Sequence, residues 1–279
     1  MKSFENKVAA ITGAGSGIGR ALALELGRNN CNLALSDINE EGLRETVNLA
    51  QDLGVHVTSR KVDVAVREEV YAWADAVAAD HGKVNLIFNN AGVALGSTVE
   101  KMRYGDFEWL MDVNFWGVVY GTKAFLPHLK AAGDGHIINI SSVFGLVGIP
   151  TQSAYNSAKF AVRGFTESLR QELDMLGYGV SASSVHPGGI KTSIARSARM
   201  DDSVRDLGLG EVGDDTRKKF EKSFITSADK AAEEILNGVR RNQRRILVGP
   251  DARVFDWMAR FLPNAYQRIS VGYSKFTAK

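Results

Sequence analysis

The sequence predicts an α/β fold in which the strands of one open sheet alternate with helices. Three observations carry this. The first forty residues hold a strand, a glycine-rich turn, a helix and a second strand in direct succession. Short apolar runs ending in polar or small residues then keep alternating with helical stretches to about residue 249. With 279 residues and 44% hydrophobic content the chain can bury a full core, and the unbroken alternation leaves no place for a second domain. Residues 1–249 therefore read as one domain and 250–279 as a C-terminal extension.

The first strand is Lys7-Val-Ala-Ala-Ile-Thr12, and the loop Thr12-Gly-Ala-Gly-Ser-Gly-Ile-Gly19 follows it. From Ile18 to Arg28 the spacing of Ile18, Leu22 and Leu26, with small Ala21 and Ala23, is helical, so the loop opens a helix. Glycines at 13, 15, 17 and 19 remove the β-carbons that would hold a backbone away from a pyrophosphate, and N–H groups at the helix start then face the anion. Gly13, Ser16, Gly17, Ile18 and Gly19 are the candidate contacts. The spacing fits TGxxxGxG rather than GxGxxG.

The second strand, Cys31-Asn-Leu-Ala-Leu-Ser36, ends in Asp37. A carboxylate about twenty residues past the glycine loop, at a strand's carboxyl end, accepts hydrogen bonds from both ribose hydroxyls of NAD and repels a 2′-phosphate. Ile38 follows it where a basic residue would suit NADP, and Ser16 rather than Arg or Lys stands in the loop, which favours NAD. The competing reading is that Asp37 caps the helix starting near Asn39.

A third strand, residues 55–62, leads into Asp63 and Val64, and a fourth, Val84-Asn-Leu-Ile-Phe88, into Asn89-Asn-Ala-Gly92. Both ends fall where open α/β sheets bind ligands. Asp63 is placed to meet an adenine amino group, while Asn90, Ala91 and Gly92 let the backbone pass close to a ribose. Taken singly, these are also ordinary turn residues.

Tyr155 and Lys159 share a helix face at four-residue spacing, with the ammonium beside the phenol. With a reference pKa near 10, about one tyrosine in a thousand is ionised at pH 7, so proton transfer through Tyr155 needs a cation nearby. A unit charge about 4 Å away is worth roughly 1 kcal/mol in bulk water and roughly 4 at an effective dielectric near 20, so the pair requires a partly dry pocket. Alone, it could equally be a solvated helix pair.

Ser142 ends the buried run from His136, and Ser141 competes with it as donor to a reacting oxygen. No GxSxG elbow surrounds either serine, which disfavours a serine hydrolase. Asn114 lies in an apolar helical stretch, Trp109 to Val119, where an amide either bonds main chain or serves a site. After the strand Val180 to His186, Pro187 stops the run, and Gly188 and Gly189 let the chain turn, with Ile190 and Thr192 beyond them.

Thr12–Gly19, Asp63, Asn89–Gly92, Asn114, Ser142, Tyr155 with Lys159, and Pro187-Gly188 with Thr192, in this order and spacing, resemble the short-chain dehydrogenase/reductase family over residues 6–249. The resemblance implies a single-domain, Rossmann-type, doubly wound and mainly parallel sheet of seven strands, with helices on both faces. It implies a catalytic Asn114, Ser142, Tyr155 and Lys159 set with no departure at any of the four. Tyr155 would be the acid/base and Ser142 the serine that holds the substrate oxygen. Lys159 would bind the nicotinamide ribose and lower the phenol pKa, and Asn114 would help hold a water leading to solvent. Pro187, Gly188, Ile190 and Thr192 would meet the nicotinamide. Most members are homotetramers or homodimers.

The stretch 190–226, charged and weakly periodic, reads as a mobile lid over the substrate. Val93, Ala94, Leu95, Val143, Phe144, Val147, Gly189 and Ile194 would line an apolar pocket, favouring a secondary or lipophilic alcohol or ketone. In the extension, Val254, Trp257, Met258, Phe261 and Leu262 recur at helical spacing after Arg240, Arg241, Arg244 and Arg245. This face would pack on the domain or a neighbouring subunit, or rest on a membrane surface.

The net charge of +2 is too small to argue for nucleic acid, and the single Cys31 excludes an intrachain disulfide and shows no metal-ligand pattern. The first strand starts directly, leaving no room for a signal peptide, and no run is long enough to span a membrane, so the expected location is cytoplasmic. The expectation is thus an NAD-dependent alcohol dehydrogenase or ketone reductase. NADP(H) dependence and a non-catalytic NAD(H)-responsive binding protein are the alternatives.

Overall fold

The computed structural model describes residues 1–192, 194, 196–207 and 224–277. Seven strands form one sheet: β1 (Val8–Thr12), β2 (Asn32–Asp37), β3 (Val57–Lys61), β4 (Leu86–Asn89), β5 (Gly135–Ile140), β6 (Val180–Pro187) and β7 (Arg245–Val248). Their spatial order is 3-2-1-4-5-6-7, and every neighbouring pair is parallel. All carboxyl ends therefore share one edge, and the order reverses between β1 and β4, opening a crevice there.

The central strands β1 (VAAIT) and β4 (LIFN) are buried at every position, as strands covered on both faces must be. Alternation sends successive side chains to opposite cores. Ala9 and Ile11 of β1 join Leu22, Leu26, Ile235 and Val239 on one face, while Val8 and Ala10 join Trp73, Phe125, Leu169 and Leu173 on the other. The first face is covered by α1 (Gly17–Arg28), α2 (Glu40–Gln51) and α7 (Ala228–Arg240). The second is covered by α3 (Arg67–His81), α5 (Gly117–Ala132) and α6 (Ser153–Leu176). On that second face Trp73 meets Phe125 edge-on at 5.0 Å. β3 ends the sheet with exposed Ser59, Arg60 and Lys61, charges that guard its free edge.

Three details differ from the sequence expectation. The stretch 109–119 is not one regular helix: α4 (Tyr104–Met111) passes into α5 through a π-helical turn at Asp112–Trp116. Both serines at 141 and 142 lie past the end of β5. The stretch 190–226, expected to be a mobile lid, is tied down where it is described. Ile190 and Lys191 pair in parallel with Thr226 and Ser227 at its neck, and Arg199 and Met200 pair with Leu95 and Gly96. The Arg199 guanidinium also stacks 3.5 Å from the Trp109 ring centre and binds Asp106 at 2.9 Å. Ser193 and the lid residues 208–223 lie outside the described residues.

The extension forms α8 (Pro250–Phe261) and α9 (Ala265–Thr277). Of α8 only Ala252 is fully buried; Met258 is half-buried, as is Leu262 just beyond the helix, and Val254, Trp257 and Phe261 are left more than half exposed by the described residues. Among the described residues no helix is long and apolar enough to cross a membrane.

Candidate active site

The glycine loop joins β1 to α1 at the crevice. Gly13 and Gly17 take left-handed φ values of 65° and 52°, which favour glycine. A β-carbon on Gly19 would strike the Gly13 carbonyl oxygen, and one on Gly17 would stand 3.0 Å from Thr192 Cγ2. The loop thus reaches the segment after β6, and the two border a cradle that could hold a dinucleotide.

Thr12 ties the loop to β4. Its hydroxyl oxygen accepts the N–H groups of Asn90 and Ala91, each at 3.0 Å, and the Asn90 amide donates to the carbonyls of Thr12 and Gly13. Asn90 therefore braces the cradle rather than simply lining it. Asp37 ends β2 beside the loop: its Oδ2 accepts the Gly15 N–H at 2.8 Å and its Oδ1 the Asn39 N–H. It is not the helix cap. Asn39 caps α2, accepting from Glu41 and Gly42. Arg20 donates to Gly15 O, Gly42 O, Thr46 Oγ1 and Glu45, so the basic group nearest the loop is already engaged. Asp63 closes a turn, accepting the Ala65 N–H at 2.9 Å. Val64 packs against Gly117, the first residue of α5.

Gly92 is where the two halves meet. A β-carbon there would stand 3.3 Å from Asn114 Oδ1 and 3.6 Å from Lys159 Nζ. The Asn114 amide bonds Val93 in both directions, at 2.8 Å each, so the buried side chain pins the strand end while the π-helical turn aims it. Ser141 is used structurally, donating to Lys159 O at 2.8 Å. Ser142 Oγ accepts the Phe144 N–H at 3.1 Å, and its hydroxyl faces Tyr155. Of the two serines, Ser142 alone addresses the phenol.

Lys159 is 3% exposed, donates from Nζ to Ile140 O at 3.0 Å, and sits 5.5 Å from the centre of the Tyr155 ring. No carboxylate pairs with it among the described residues. Burial pushes its pKa down to about 8 and that of the Tyr155 phenol up to about 12, the Ser142 hydrogen bond opposing the latter. The expected lowering of the phenol by Lys159 is thus not met in the chain alone. The dry surroundings that would strengthen the charge pair also favour the neutral form of each partner.

Sequence reasoning missed three supports. Thr12, the first residue of the glycine motif, carries the brace just described. His186, next to Pro187, places Nδ1 at 2.9 Å from Ser142 O and Nε2 at 3.0 Å from Ser184 Oγ. The carbonyl requires the proton on Nδ1, so the Ser184 hydroxyl donates to Nε2. Burial holds this ring neutral, with a pKa down to about 4. Asp251, in the extension, accepts the Gly189 N–H, and no local motif announces it. Gly188 and Gly189 adopt no positive φ. Their missing side chains make room for Asp251 and Phe224, respectively, which is a packing reason and not a turn requirement.

The comparisons agree with this geometry. The sequence model of the short chain dehydrogenase family matches residues 7–203. The SadH protein of Mycobacterium tuberculosis is 52% identical over 277 residues, covering 99% of this chain and 98% of its own. Cyclohexanol dehydrogenase of Acinetobacter sp. strain SE19 is 35% identical over 228 residues, 81% of this chain and 90% of that protein. A short chain dehydrogenase/reductase from Burkholderia phymatum, crystallised with NAD, superposes with a TM-score of 0.85 at 31% identity, over 96% of this chain and 97% of the other. The parallel sheet with its braced glycine loop, the convergence of Asn114, Ser142, Tyr155 and Lys159, and these matches together make the chain a member of the short-chain dehydrogenase/reductase family of oxidoreductases.

Proposed function

We propose that this chain is an NAD-dependent dehydrogenase or carbonyl reductase that interconverts a secondary, lipophilic alcohol and its ketone, with Tyr155 as acid/base. The observation that carries the reading is the buried Lys159 ammonium, without an acidic partner among the described residues, beside Tyr155 and across Gly92 from the cradle. The residues fit the cofactor. The glycine loop, with Gly13, Ser16, Gly17, Ile18 and Gly19, would hold the pyrophosphate, and Asp37 the adenosine ribose. Asp63, Val64 and the Asn90-Ala91-Gly92 turn would flank the adenosine. Lys159 would hold the nicotinamide ribose, and Pro187, Gly188, Ile190 and Thr192 the nicotinamide. NAD is favoured over NADP because a carboxylate stands at the ribose position and Arg20 is engaged elsewhere.

The bound nicotinamide supplies the hydride acceptor or donor. Ser142 donates to the substrate oxygen and orients it. In reduction Tyr155, whose phenol holds its proton well past neutrality, delivers that proton to the developing alkoxide. In oxidation it must receive one, which requires positive charge nearby, and Lys159 is the residue placed to supply it. Val143 and Val147, both buried, and Phe144, edge-on to Tyr155 at 6.2 Å, give the substrate side an apolar wall. The cyclohexanol dehydrogenase relative supports a secondary alcohol. The catalytic unit would be 1–249, and assembly into a dimer or tetramer belongs to the same proposal.

The test is nicotinamide absorbance with the purified full chain, offering NAD⁺ and NADP⁺ against cyclic, aliphatic, aromatic and steroid alcohols. Turnover of a lipophilic alcohol with NAD⁺ is expected. Tight NADH binding with no turnover of any panel member would instead favour the non-catalytic binder.

A further inference from the structure

We propose that Asp251, in the C-terminal extension, is a positioning residue for the nicotinamide end of the site, acting through the Gly189 peptide. The inference rests on the cofactor reading above and adds a residue beyond the stretch, 7–203, that the family sequence model matches.

The turn 187–190 is held almost entirely from the C-terminal quarter of the chain. Gly188 N–H donates to Val248 O at 3.0 Å, the Gly189 carbonyl accepts from Thr226 N–H, and Ile190 and Lys191 pair with Thr226 and Ser227. Asp251 adds a charged contact, Oδ2 accepting the Gly189 N–H at 2.6 Å, a short charge-assisted bond. A β-carbon on Gly188 would collide with both carboxylate oxygens, and one on Gly249 would stand 2.7 Å from Oδ1. Two glycines thus clear the space that this carboxylate fills. It sits in the first turn of α8, directly after Pro250, where the helix dipole favours a negative charge. Its Oδ1 is buried without a hydrogen-bond partner among the described residues, a costly arrangement for a residue that only fills space.

Asp251 fixes the 188–189 peptide through its N–H, and Thr226 holds the carbonyl of the following peptide, so the backbone leading into Ile190 is clamped from behind on both sides of Gly189. That is the backbone assigned to the nicotinamide carboxamide. Asp251 touches neither substrate nor the dinucleotide in this scheme; it fixes the group that does. The adenosine half of the cradle would be built on β1, β2 and β4, and Asp251 makes no hydrogen bond to those strands among the described residues, so the two ends of the cofactor should respond differently to its loss.

The experiment titrates the full-length protein with NADH, followed by nicotinamide fluorescence, and with ADP-ribose, which lacks the nicotinamide, followed by calorimetry. For Asp251→Ala the expected result is about tenfold weaker NADH binding with ADP-ribose affinity unchanged within about twofold. Asp251→Asn, which keeps an oxygen acceptor for Gly189, should recover most of the NADH affinity. Asp251→Leu, close in volume but without an oxygen acceptor, should repeat the selective loss and covers the case in which the space left by Asp251→Ala unfolds the protein. Equal losses for both ligands, or full NADH affinity in Asp251→Ala and Asp251→Leu, would overturn the positioning role. Wild-type protein that binds neither NADH nor ADP-ribose would instead overturn the cofactor reading on which it rests.

Discussion

Lys159 donates from its ammonium to the carbonyl oxygen of Ile140, the last residue of β5, at 3.0 Å. The bond fixes the cation at the carboxyl edge of the sheet while leaving it two further donor hydrogens. It also means that the fold holds a lysine in dry surroundings with no counter-charge among the described residues, and that has measurable consequences.

Burial lowers the Lys159 pKa to about 8 from the ordinary 10.5, so the folded chain binds this proton less tightly than the unfolded chain does. Stability therefore rises with pH between those values, and the lysine's unfavourable contribution is complete below about 8. The 2.5-unit difference corresponds to about 3 kcal/mol. Lys159→Met should be more stable than wild type at pH 7, with the difference fading by about pH 10.5. Urea midpoints across this range check it, and a destabilised variant at pH 7 would show that the lysine is satisfied as a cation.

Tyr155→Phe should lower turnover by about 10²- to 10⁴-fold while NADH affinity changes little. Because the wild-type phenol keeps its proton past neutrality, carbonyl reduction should be nearly flat with pH through the neutral range, whereas alcohol oxidation should climb. Steady-state rates in both directions decide this, and intact turnover in the variant would remove Tyr155 from the chemistry.

The two neighbouring serines should separate cleanly. Ser142→Ala should cut kcat by at least about tenfold, since its hydroxyl faces Tyr155, besides costing about 1 kcal/mol of stability through the lost Phe144 N–H bond. Ser141→Ala should cost about 1 kcal/mol of stability through the lost bond to Lys159 O, with a smaller effect on kcat. Denaturation curves and rates on the same two preparations provide the check.

Asp37→Ala should weaken NADH binding by about tenfold and NADPH binding far less, because only the former loses a ribose partner and the latter loses a repulsive charge. Equal losses would mean that the carboxylate serves only the Gly15 N–H.

His186 should make the fold acid-sensitive. Its pKa falls from 6.5 to about 4 on burial, so the unfolded chain takes up the proton first and stability declines as pH drops through that interval. His186→Gln should flatten this decline and lower kcat through the loss of support for the Ser142 carbonyl. Thermal melts between about pH 4 and 7 test the first effect and rates at pH 7 the second.

Much of this architecture was legible in order and spacing. The glycine loop opening α1, Asp37 at the end of β2, and the four-residue step from Tyr155 to Lys159 are local patterns, set by a few consecutive residues and by helix and strand periodicity. They also carry the family resemblance, since chemistry at a strand's carboxyl edge depends on residue type at fixed offsets. The sequence by itself therefore determined the parallel α/β class and the candidate set Asn114, Ser142, Tyr155 and Lys159. The choice of Ser142 over Ser141 rested on the family pattern, because both serines lie past the strand end and alternation does not govern them. Only the tertiary structure decided that Ser141 bonds Lys159 O, that His186 braces Ser142, and that Asp251 reaches the Gly189 peptide across 62 residues of chain. It also decided the sign of the Tyr155 shift. Spacing shows which charges are neighbours, but desolvation depends on everything packed around them, and here it outweighs the Ser142 hydrogen bond.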